Sequence, residues 1–162
     1  MRKLMVSMTV LGLALVLCNL AIAANTAQQT VTFEVSAINE ISASGNPGNL
    51  VVNTATAGSE PTDDVDNTTT WAVTTNGSNK KMTGAIGTDM PTNTTLEVNL
   101  TAPTGGSSSG DVPLTSTAAD LVTGVSVIAQ SGLSITYTLS ATIAAGVVAQ
   151  AQRTVTLTLT DG

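Results

Sequence analysis

The stretch Gly132-Leu133-Ser134-Ile135-Thr136-Tyr137-Thr138-Leu139-Ser140-Ala141-Thr142-Ile143 decides the fold. Every odd position from Leu133 is apolar and every even position is polar or Gly. Successive side chains of an extended strand point to opposite faces, so this order makes a ribbon with one greasy and one hydroxyl-lined face. A helix needs apolar residues three and four apart, which this order cannot supply.

Two more stretches carry the same alternation. Thr30-Val31-Thr32-Phe33-Glu34-Val35-Ser36-Ala37 lies near the beginning of the chain and Arg153-Thr154-Val155-Thr156-Leu157-Thr158-Leu159-Thr160 near its end. Shorter strand candidates are 50–54, 69–75 around Trp71 and Val73, 81–86, 94–101 with Leu96, Val98 and Leu100, and 125–129. Turn chemistry separates them at Gly45-Asn46-Pro47-Gly48, Asn76-Gly77-Ser78-Asn79 and Pro103-Thr104-Gly105-Gly106. Residues 116–122, opening on Ser116-Thr117, are expected to form one hydroxyl-capped helical turn. The expected architecture is all-β, a single antiparallel β-sandwich of about 7–9 strands over residues 25–162. Its expected core is Val31, Phe33, Val35, Trp71, Leu96, Val98, Leu100, Leu133, Ile135, Tyr137, Leu139, Val155, Leu157 and Leu159. A transmembrane barrel is the rival, but it needs two girdles of aromatic residues, and Phe33, Trp71 and Tyr137 are the whole aromatic content.

Residues 1–24 read as an export signal. Arg2 and Lys3 precede a largely apolar run from Leu4 to Leu20, and Ala21-Ile22-Ala23 has the small-x-small form of a cleavage site, placing the cut after Ala23 or Ala24. Cys18, the one cysteine, then leaves with the leader; Leu17 before it is too bulky for a lipidation box. The expected product is exported to the periplasm, the cell surface or the medium. It has no disulfide and depends on burial for its stability. It keeps three basic residues, Lys80, Lys81 and Arg153, against eleven acidic ones, a net charge of −8. That balance excludes nucleic acid, whose binding is driven by counterion release at lysine and arginine contacts. No later apolar run is long enough to insert in a membrane.

The chain has no histidine, so triads, Cys-His dyads and His-built metal sites are excluded. The densest polar cluster is Glu60-Pro61-Thr62-Asp63-Asp64-Val65-Asp66-Asn67. Glu60, Asp63, Asp64 and Asp66 form a candidate calcium loop because hard cations take oxygen ligands. The spacing is not that of an EF-hand, since Thr69 and Thr75 stand where Gly and Glu are required. A solvated acidic loop is the simpler reading, and no cofactor is expected. Paired-carboxylate catalysis is disfavoured because Glu34 and Glu97 fall on polar strand faces and there are few aromatic rings for a sugar to stack on. Lys80-Lys81 could supply the amine of a Ser-Lys dyad or an isopeptide bond, but protection of an exposed strand edge is the simpler expectation. No enzymatic activity is expected.

The low aromatic and high Thr/Ser content resembles that of bacterial fimbrial and Ig-like surface proteins in general, although no stretch matches a family motif. Two functions follow. The first is an exported structural or adhesive surface protein, a pilus- or filament-type subunit that pairs with itself or with other surface subunits by strand addition at sheet edges. In that reading 28–38 has the form of a donor strand; completion of its own sheet is the more ordinary fate. The second is a soluble secreted binding module for carbohydrate or another ligand, calcium-dependent through the acidic loop.

Overall fold

A computed structural model describes residues 25–162. The expected leader, its cleavage site and Cys18 lie outside that range. Nine strands form: β1 Asn39–Ala43, β2 Asp64–Thr75, β3 Lys80–Ile86, β4 Thr94–Leu100, β5 Ser107–Ser108, β6 Val112–Pro113, β7 Ala119–Val125, β8 Ile128–Ala141 and β9 Val155–Asp161. All pairings are antiparallel. One sheet has the order β1-β2-β8-β4-β6 and the other β5-β7-β3-β9, a sandwich-like pair around one core.

The alternating stretch that opened the reading forms most of β8, which pairs with β2 on one side and β4 on the other. Its inward residues Leu133, Ile135 and Tyr137 are buried with Leu96, Val98 and Leu100 of β4 and Trp71 and Val73 of β2. The opposite sheet contributes Met82, Ile86, Leu121, Val122 and Val125. Two bulges adjust the register. Between Asp66 and Thr69 the pairing of β2 with β8 slips, and beyond the slip the odd residues of β2 face inward. The second slip lies between Trp71 and Val73 opposite Gly132, whose φ of +71° a residue with a Cβ adopts only under strain. Thr69 is buried beside the first bulge, and its Oγ1 has no hydrogen-bond partner.

Several expectations need correction. Residues 30–37 form no strand. Val31, Phe33 and Val35, expected in the core, are 76%, 88% and 78% exposed. Alternation makes a segment fit to be a strand, but a strand is defined by a neighbouring strand in ladder register, and no described strand pairs with 25–38. Residues 50–54 also form no strand. The expected helical turn at 116–122 is instead the start of β7, where a bulge sends the consecutive Leu121 and Val122 both inward. The expected strand 125–129 is divided by a corner at Ser126 and Val127, the latter at φ +39°, with Val125 ending β7 and Ile128 and Ala129 opening β8. The one helical piece among the described residues is a 3-10 turn, Ile143–Ala145.

Only β1 and β2 are consecutive strands of one sheet; every later connection crosses from one sheet to the other. The tight turn from β2 into β3 is made by Asn76-Gly77-Ser78-Asn79, with Asn79 at φ +49° and its N–H donated to Ser126 Oγ at 2.8 Å.

Candidate binding cleft

Strands β1 and β9 are the edge strands on one side of the two sheets. A cleft of about 840 Å³ opens there. Its floor is Trp71, Met82 and Tyr137, and Val155 and Leu157 of β9 and Ile41 of β1 line its sides. Trp71 is held in place by its Nε1–H, which donates to Thr101 O at 3.2 Å. Burial pushes the Tyr137 phenol above its ordinary value of 10.0. Polar side chains of Ser42, Asn46, Asn49 and Gln152 share the lining with these apolar ones, and Arg153 donates to Asp89 O at 3.1 Å from Nη2.

One wall of the cleft is residues 45–50, part of the long strap between β1 and β2. The acidic residues singled out in the sequence hold this strap. Asp64 Oδ2 accepts from Val51 N–H at 2.6 Å and its Oδ1 from Val65 N–H at 3.1 Å. Asp66 Oδ2 accepts from Gly48 N–H at 3.1 Å, and a Cβ on Gly48 would lie 2.9 Å from that same oxygen. Asp66 Oδ1 accepts from the Thr68 hydroxyl at 2.8 Å and from Thr68 N–H at 3.1 Å. The Thr68 hydroxyl, then the Thr68 and Gly48 amides, hold the Asp66 carboxyl below its ordinary value. Glu60 Oε2 accepts from Ile143 N–H at 2.8 Å, fixing the far end of the strap to the chain after β8. Asp63 is exposed. Among the described residues no three His, Cys, Asp or Glu side chains converge as a metal would require. Three of the four candidate calcium ligands thus spend carboxylate oxygens on backbone amides of separate loops.

Lys80 and Lys81 are not on a sheet edge, because β3 lies between β7 and β9. Lys80 pairs with Asp161 on β9, and Lys81 Nζ lies 3.1 Å from Asp120 on β7. The Lys80 ammonium holds the Asp161 carboxyl below its ordinary value, by hydrogen bond and by charge. The two lysines therefore tie the three long strands of their sheet together, a role the sequence pair alone did not reveal.

At the mouth of the β2–β3 turn, Asn76 grips the chain entering β1. Its Oδ1 accepts from Ile38 N–H at 2.8 Å and its Nδ2 donates to Ser36 O at 2.9 Å. No sequence signal marked this clamp, because Asn76 reads equally well as a plain turn residue. The chain matches no family model, no curated protein and no solved structure.

Proposed function

We propose that this chain is an exported, non-enzymatic structural or adhesive component of a cell surface, an Ig-like or fimbrial-like sandwich that joins its neighbours by strand addition. The observation that carries this reading is the fate of residues 30–36. They are written as a strand and expose Val31, Phe33 and Val35, while β9 is an edge strand that pairs, among the described strands, with β3 alone. Exposed alternating segments and open sheet edges complete one another through main-chain hydrogen bonds, with alternate side chains filling pockets. Residues 1–24 serve as the export signal in this reading. The acidic surface keeps unassembled copies apart by like-charge repulsion.

The test is the size distribution of the purified chain with and without residues 25–38, by light scattering and negative-stain electron microscopy. Ordered oligomers or filaments are expected with the segment and monomers without it. A strict monomer at every concentration that bound glycan only in the presence of calcium would replace this reading with that of a soluble binding module.

A further inference from the structure

We propose that the cleft binds a single-chain amphiphile with a carboxylate head, a long-chain fatty acid, whose acyl chain lies over the apolar floor and whose head meets Arg153. This goes beyond strand addition and does not depend on it.

The charges around the cleft point to an anion. The chain has eleven acidic residues, yet none of them lines the cleft, and Arg153 is the one charged side chain among its described lining residues. A smaller cavity of about 420 Å³ shares Leu50, Met90, Leu139 and Arg153 with the cleft and again has no acidic residue in its lining. Arg153 therefore stands where the two spaces meet. The chain's net negative charge opposes an anion from afar, but at physiological salt that repulsion fades over about 8 Å, whereas contact with Arg153 is local.

Arg153 is also the cation that the fold leaves without a counter-charge. Among the described residues the other two cationic side chains have carboxylate partners, Lys80 with Asp161 and Lys81 with Asp120. Arg153 bonds only to backbone carbonyls: Nε and Nη2 donate to Asp89 O at 3.3 and 3.1 Å, and Nη1 to Gln152 O at 3.0 Å. The Asp89 carboxylate accepts instead from Ser116 N–H. Those bonds hold the guanidinium in place and leave part of its planar fork of donors for a ligand, and a carboxylate matches that fork. One cation balances one negative charge, so a carboxylate fits this lining better than a doubly charged phosphate monoester.

The hydrocarbon has its own place. Trp71, Met82 and Tyr137 form the buried floor, and Ile41, Leu50, Met90, Leu139, Val155 and Leu157 also line the cleft and are only half-buried. An acyl chain laid over these residues takes their remaining apolar surface out of water. The cleft's volume of about 840 Å³ lies within the range of roughly 300–1,000 Å³ of small-molecule sites.

Trp71 is the one tryptophan of the chain, so its fluorescence reports occupancy of the cleft. The full exported chain is titrated at neutral pH and physiological salt with dodecanoate, and separately with dodecanol and dodecyl phosphate. Dodecanoate should give a saturable change in Trp71 emission, with the other two binding about tenfold more weakly. Arg153→Gln should weaken dodecanoate about tenfold, through loss of charge-assisted hydrogen bonds, and leave dodecanol unchanged. If Arg153→Gln loses dodecanol as well, Arg153→Lys decides: a retained preference for dodecanoate over dodecanol supports the proposal and a lost one overturns it. No saturable change overturns the site, as does a Trp71 signal that follows protein concentration alone, which would give the cleft to a second copy. Dodecanol or dodecyl phosphate binding as tightly as dodecanoate overturns recognition of the carboxylate, as does Arg153→Gln binding dodecanoate undiminished. None of these results bears on whether the chain forms filaments.

Discussion

Residues 30–36 and strand β9 use the same alternation and meet opposite fates. Thr-Val-Thr-Phe-Glu-Val-Ser and Val-Thr-Leu-Thr-Leu-Thr-Asp each alternate an aliphatic or aromatic residue with a polar one. In β9 the apolar set packs against the core, and seven register pairs join the strand to β3. In 30–36 the apolar set is exposed and no described strand lies alongside. The difference teaches that period two specifies a ribbon with one greasy face and says nothing of where that face goes. Only a neighbouring strand turns such a ribbon into part of a sheet, and for β9 that neighbour is β3.

The contrast can be broken by measuring what each region contributes to the stability of the dilute monomer. The largest loss is expected at the cleft floor, where Trp71 is 2% exposed. Trp71→Ala should cost about 3–5 kcal/mol in urea unfolding, from lost burial and the cavity left behind. Leu157→Ala, on a half-buried strand face, should cost about 1–3 kcal/mol, at the lower part of the range for such truncations. A value near zero would mean that β9 is no better anchored than 30–36.

A smaller effect should come from acid. Asp161 is titrated below its ordinary value of 3.8 by Lys80. A carboxyl with a depressed folded pKa adds stability that is fully present above its unfolded value and is lost as pH falls through the folded one. Thermal midpoints should therefore drop below pH 4, and Asp161→Asn should flatten part of that drop. Because Asp161 is exposed, the change should be slight and should shrink further in salt. The smallest effect is the most informative. Phe33→Ala should leave monomer stability within about 0.5 kcal/mol, as surface substitutions do. A loss above that, at high dilution, would show that 30–36 packs within its own chain and dissolve the contrast.

The alternation made the long interior strand legible: β8 is buried on one face and flanked by partners on both sides, so its order is clean. β4 is legible for the same reason, and β9, though an edge strand, because its three apolar residues still face the core. β1 was not, because in Asn39-Glu40-Ile41-Ser42-Ala43 only Ile41 faces inward and the remainder is edge. The sequence of β7 reads as a turn of helix because its bulge puts two neighbouring apolar residues on one face, which breaks the period of two. In the acidic cluster the positions were visible but the roles were not. Asp64 and Asp66 bond to Val51 and Gly48, and nothing local to 60–67 announces those partners. The cleft itself is a property of which edges remain open, and edge order is set by long-range pairing.

The crossing of the chain between sheets at every step after β2 has a consequence for the order of events during synthesis. No two successive strands from β2 onward can zip together as a hairpin, so almost nothing local stabilises an early segment. β2 and β4 wait for β8, and β3 waits for β7 and β9. A ribosome must release nearly the full polypeptide before either layer can close. Until then the nascent chain remains slack enough to thread through a narrow pore.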